Sequence, residues 1–150
     1  MPLSHCAVNP ELQPAHRVRA VEVLTELYDG LDESTLQQLA RSESPEVRAR
    51  AIWSAGQTGI ESLEPPLLFA YLNDEDPLVV RCALEAMART QNELQQQFLL
   101  PTLVERLGDP QPIVRQAASR GVSTLAPANE VRLLEQVRTT SLQARFAFEL

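Results

Sequence analysis

The chain has 150 residues, with 20 acidic side chains against 13 basic ones, a formal net charge of −7 and a pI near 4.8. All of the basic residues are arginine. This balance argues against nucleic acid or an anionic membrane as a partner, since both call for a basic stripe, and no run of about 18 apolar residues is present to span a bilayer.

Length suggests a single domain, and with aromatics at 5% its core must be aliphatic. Five glycines against eleven prolines describe short helices separated by sharp turns. The opening run Met1-Pro2-Leu3-Ser4-His5-Cys6 has neither the basic nor the apolar region of a signal peptide. Residues 1–12 lack periodicity and read as a tail. Cys6 and Cys82 make no CxxC pair and no disulfide framework. They are read as two unpaired thiols of a reducing, cytoplasmic setting.

From residue 13 onward, proline sets a register. Pro14, Pro45, Pro77 and Pro112 lie 31, 32 and 35 residues apart. Six residues after each stands an alanine: Ala20, Ala51, Ala83 and Ala118. Two residues after each stand His16, Val47, Val79 and Val114, and offsets nine and ten carry small or apolar residues. Offsets two, six, nine and ten share one helical face, so each proline opens an amphipathic helix that buries this face. Ser44-Pro45 and Asp76-Pro77 place a capping oxygen before a proline at the first helical position, while Asp109-Pro110-Gln111-Pro112 displaces the cap. Asp29-Gly30, Gly56-Gln57-Thr58-Gly59 and Thr90-Gln91-Asn92 close these helices. A second apolar helix follows each, over roughly Glu33–Arg41, Leu63–Leu72, Leu94–Leu107 and Glu130–Arg138. Two helices per repeat make an α-solenoid, in which neighbours must stack to form a continuous core. The alanine column allows close approach, and a large side chain there should overpack it.

The segments Ser-Pro-Glu-Val-Arg-Ala-Arg-Ala (44–51), Asp-Pro-Leu-Val-Val-Arg-Cys-Ala (76–83) and Pro-Ile-Val-Arg-Gln-Ala-Ala (112–118) resemble the D-P-x-V-R-x-x-A signature of HEAT repeats. The short period is most similar to the HEAT-like repeats of bilin lyases. The resemblance covers about residues 13–140, departing at His16 and in the longer third turn. It implies an all-α, right-handed solenoid of about four helical pairs plus a partial fifth, with units near 13–43, 44–75, 76–110 and 111–140 and a fragment over 141–150. It also implies a non-catalytic scaffold for a protein or peptide partner, in a chain that is one domain of a larger protein. The rival readings are a bilin lyase or related enzyme subunit, a spacer between domains, and the HEAT-like DNA glycosylases, which the net charge disfavours. Arg17–Gly56 is also similar to the HEAT segments of large modular bacterial proteins that carry a propeller and a haem-c domain, although no CxxCH occurs.

Convergent chemistry is sparse. His5, Cys6 and His16 match no zinc spacing, and Asp74-Glu75-Asp76 is too contiguous to converge on Ca²⁺. No nucleophile elbow, metalloprotease or phosphate-loop motif is present, so no metal or cofactor is expected. Arg17, Arg48 and Arg115, three residues after their prolines, are read as ties to turn acids such as Asp74, Asp76 and Asp109, in preference to a row binding an anionic ligand.

Trp53 stands eight residues after Pro45, in a column otherwise filled by Glu22, Glu85 and Arg120. Offsets one, five, eight and twelve oppose the alanine face, so Trp53 either anchors a partner or lies over a neighbouring helix. If second helices line the concave side, as the resemblance implies, that side shows Gln37, Gln38, Arg41, Tyr71, Gln96, Glu105 and Arg106, with Phe69 and Tyr71 half in the core and half on the rim. Its mixed charge suits a peptide better than a nucleic acid. Phe146, Phe148 and Leu150 make a poor polar cap. This end is expected to continue into a longer protein or to support end-to-end self-association.

Overall fold

The computed structural model describes residues 2–59 and 63–125, together with 134, 135, 138 and 139. Its helices are α1 (Leu3–Val8), α2 (Pro14–Leu27), α3 (Glu33–Leu39), α4 (Pro45–Thr58), α5 (Pro65–Leu72), α6 (Pro77–Met87) and α7 (Glu93–Arg106), followed by α8 over 112–125. There is no strand among the described residues. The expected fourth second helix lies largely outside the described residues, and the partial fifth unit with Phe146, Phe148 and Leu150 lies wholly outside them.

Local chemistry starts the helices where the prolines stand. Proline opens α2, α4 and α6, where its missing N–H costs nothing. Ser44 Oγ accepts from Val47 N at 3.3 Å, and Asp76 Oδ1 accepts from Leu78 N at 2.8 Å. Asp32 caps α3 through Thr35 N, and Asn92 caps α7 through Leu94 N and Gln95 N. Asp109 caps no helix; its Oδ1 accepts from Gln111 N at 2.9 Å and tightens the turn instead.

The four column alanines Ala20, Ala51, Ala83 and Ala118 are all buried, as are Val47, Val79 and Val114 at offset two. His16, at the same offset in α2, is exposed, because α1 supplies only six residues to cover that helix. Leu36, Leu39, Leu68, Leu72, Leu99 and Leu103 of the other helices complete the aliphatic core.

Packing pairs the helices differently from the expected units. Helix α1 packs on α2, α3 on α4 and α5 on α6, each across the short turn before a proline-led helix. The α7–α8 pair follows the same plan, with Gly121 against Leu103. The segment 1–12 is therefore no tail. Its Ala7 is completely buried, and its carbonyl accepts from Arg17 Nε at 2.9 Å, so α1 is the first partner of the stack. Periodicity failed to reveal it because six residues are less than two helical turns.

The pairs stack mainly through α2, α4 and α6, which pack on one another far more intimately than do the helices behind them. Gly56 shows how tight this contact is. A Cβ added there would lie 2.7 Å from Ala86 Cβ and 2.8 Å from Ala86 Cα. Gly56 thus serves helix approach within α4, and Gly59, at φ 125°, terminates the helix.

The arginine column supplies polar ties. Arg48 grips Asp74 with two bonds, Nε to Oδ2 at 2.7 Å and Nη2 to Oδ1 at 2.9 Å, while its Nη1 donates to the carbonyls of Ser42 and Glu43. It therefore joins the turn before α4 to the turn before α6. Arg115 repeats the backbone half of this pattern on Asp109 and Pro110. Where the third unit has Val80 in place of arginine, Arg106 of α7 takes over, with Nη2 on Leu72 O at 2.9 Å and Nη1 on Asp109 at 3.0 Å.

Two predictions follow from these contacts. In most helices Gly→Ala gains about 1 kcal/mol of propensity, but here overpacking of about 1–3 kcal/mol opposes it. Gly56→Ala should lower the urea midpoint, and a raised midpoint would show that α4 and α6 have room to spare. For Asp74, burial alone would raise the carboxyl, but the bonds from Arg48 and Asp76 N and the Arg48 charge hold it below its ordinary value. The tie is thus at full strength above the ordinary aspartate range near pH 3.9 and is lost as pH falls through the depressed folded value. Wild type should exceed Asp74→Asn in stability at about pH 6, with the gap closing below about pH 4; a pH-independent gap in urea titrations would remove the ion pair from this account.

Candidate functional site

The outward face of the proline-led helices carries offsets one, four, five, eight and twelve, and on it lies a groove of about 800 Å³. Helix α2 contributes Pro14, Ala15 and Val18; α4 contributes Glu46, Ala49, Arg50 and Trp53; α6 contributes Leu78, Arg81, Cys82 and Glu85, with Arg89 just past its end. These helices pack on one another more closely than those behind them, and the groove lies on their free face. The partner surface expected on the second helices belongs to the other layer of the stack.

Trp53 is half-buried in this groove. The guanidinium of Arg50 lies 4.7 Å from its ring centroid, within cation–π range. Arg50 is held in turn by Glu22 of α2 at 3.3 Å, which ties it across the α2–α4 seam. The Trp53 ring thus lies beneath a neighbouring side chain and forms part of the groove wall. Beyond it, Arg81 pairs with Glu85 at 3.1 Å. The Cys82 thiol is raised, first by burial and then by the Glu85 charge. Cys82 and Cys6 are both free thiols.

Beside Trp53 the surface continues. A small depression joins Trp53, Gln57, Glu85 and Arg89 between α4 and α6. A second groove of about 410 Å³ runs between α6 and α8, with Arg81, Glu85, Arg89 and Arg120 along it.

The residues expected on the second helices do not converge. Tyr71 is 1% exposed, and its hydroxyl donates to Leu36 O at 3.2 Å. It is a core residue whose phenol is raised by burial, so no partner can reach it. Arg106 is a structural tie between turns. Gln37 and Gln38 are exposed and bond along their own helix to Glu33 and Ser34. Arg41 borders a shallow hollow with Glu43 and Glu75, Gln96 donates to Thr90 O, and Glu105 is exposed on α7. Sequence reasoning missed Arg50, Arg81, Cys82 and Arg89 as groove residues, although all four share the Trp53 face at offsets four, five and twelve. It also missed the edge-on pair Phe69–Phe98, with centroids 5.3 Å apart, which leaves both rings exposed on the other layer.

Among the described residues, no group of three His, Cys, Asp or Glu side chains is placed to hold a metal ion, and no helix is long and apolar enough to cross a membrane. Searches of curated proteins and of solved structures returned no match. A family model described as HEAT repeats matches residues 33–120, beginning at α3 and ending within α8. That span is more than half of the chain, and it starts where the packing starts a helical pair. HEAT repeats commonly serve as protein-interaction scaffolds, and this chain, with its stacked helical pairs and turn-bridging arginines, belongs to the HEAT-repeat family.

Proposed function

We propose that this chain is a non-catalytic protein-interaction module that receives a partner protein or peptide on the free face of its proline-led helices. The observation that carries this reading is the half-buried Trp53, covered by an Arg50 that Glu22 holds in place, in an ~800 Å³ groove that crosses three successive helices. Tryptophan and arginine in a desolvated recess are the residue types that dominate interface energetics. An enzyme would need an activated group in the same place. Cys82 is the nucleophile available there, and burial together with Glu85 disfavours its thiolate, the reverse of what activation requires. Glu85 is engaged by Arg81. A bilin lyase or other enzymatic role finds no support in this chemistry, and a mere spacer would not require a built groove.

Trp53 is the only tryptophan, so its emission reports on the groove alone. Peptides selected for binding to the chain from a random display library should shift or quench that emission. Trp53→Ala should weaken them by about 30-fold, as for a hot-spot residue, with unchanged far-UV circular dichroism. Selected peptides that bind Trp53→Ala as tightly as wild type would place the binding surface elsewhere.

A further inference from the structure

The groove has a charge opposite to that of the molecule around it. Four arginines, Arg50, Arg81, Arg89 and Arg120, line the connected depressions, against the two glutamates Glu46 and Glu85. The rest of the chain is left with nine arginines against eighteen acids. The sign of the surface therefore reverses along one strip of the free face.

The four arginines are not equivalent. Arg50 is committed to Glu22 and Trp53, and Arg81 to Glu85. Arg89 and Arg120 are exposed and have no carboxylate partner among the described residues, yet they border the same depression between α6 and α8. Arg89 also borders the hollow that contains Trp53. Read across the helices, the strip runs from apolar surface at Val18, Ala49, Trp53 and Leu78 to an unpaired guanidinium pair. Two guanidiniums without acids are forks that match carboxylates.

We infer that the groove takes an extended acidic peptide segment, with one bulky apolar side chain against Trp53 and the following acidic side chains on Arg89 and Arg120. This rests on the interaction-module reading and names its partner class. Four helices at interaxial distances of about 8–10 Å span roughly 24–30 Å, which an extended peptide covers in about eight or nine residues. The remainder of the chain is acidic in balance, so charge favours this strip for an acidic ligand and helps to set the ligand's position as well as its class.

The test uses the whole chain and three peptides of about nine residues: one with a leucine followed by glutamates and aspartates, one with the matching amides, and one with lysines and arginines in place of the acids. Binding is read by Trp53 emission and by calorimetry. The acidic peptide should bind about tenfold or more tighter than the amide peptide, weaken severalfold as salt rises from about 50 to 300 mM, and lose at least about tenfold on Arg89→Glu/Arg120→Glu. Both arginines are exposed, so this variant should keep its helicity. Equal binding of acidic and amide peptides, still moving Trp53, would overturn the acidic preference and leave the interaction groove standing. Acidic-peptide binding unchanged in the double variant would overturn the assignment of Arg89 and Arg120. If no peptide moved Trp53 at about 1 mM, the acidic ligand would be wrong, and the display selection would then decide the groove reading by itself. A single-stranded oligonucleotide binding more tightly than the acidic peptide would overturn the peptide class in favour of a nucleic acid.

Discussion

The stack depends on how little side-chain volume separates one proline-led helix from the next. Ala51 and Ala83 have no exposed surface, and at Gly56 even a methyl group would run into the Ala86 backbone. Helices this close interlock only at one offset along their axes, so the small residues define register as well as distance. The helices behind them carry leucine and tyrosine and pack on one another less intimately. The groove follows from the closeness of the proline-led helices, since the outward columns of α2, α4 and α6 are brought side by side.

Polar ties then lock the turns that the apolar contacts only bring near one another. Arg48 satisfies two turn carbonyls and the Asp74 carboxylate at once, and its side chain and that of Asp74 are each about 10% exposed. An ion pair this sheltered depends on geometry and on having its other hydrogen bonds satisfied, conditions met by the bidentate contact and the carbonyls. Replacement of the column arginine by Val80 does not leave the next turns unconnected, because Arg106 reaches Leu72 and Asp109 from another helix. The same junction is thus built twice from different sequence positions. This is why Arg106, exposed-looking on a helical wheel, turns out to be structural.

The groove proposed for a partner uses the face that the core leaves over. With offsets two, six and nine committed to packing, offsets one, four, five, eight and twelve are free to vary, and it is there that Trp53, Arg50, Arg81 and Arg89 occur. An indole under a guanidinium, the half-buried thiol of Cys82 and the ion-paired Glu85 line this recess. Its arginines stand apart from the acidic remainder of the chain, so the net charge of −7 is a poor guide to the character of this one surface.

Much of the fold was legible beforehand because helix geometry converts spacing directly into faces. The prolines at 14, 45, 77 and 112 marked four helix starts, the alanine column marked the buried side, and the caps at Ser44 and Asp76 were readable from residue type and position. The Arg48–Asp74 tie was foreseeable too, since both residues recur at fixed offsets from proline. What spacing could not reveal was which helix pairs with which. A proline-led helix has an apolar face that suits either neighbour, and only the packing of α3 on α4 and of α1 on α2 chose the unit and recruited the N-terminal segment. The same limit hid the site. Tyr71 and Arg106 have polar groups that helical periodicity assigns to a surface, but a buried carbonyl of Leu36 and a distant turn claim them. Sequence by itself determined which residues share a helical face. Only the tertiary structure decided which helices pair and which side chains meet in one groove, because both depend on packing between helices and belong to no single helix.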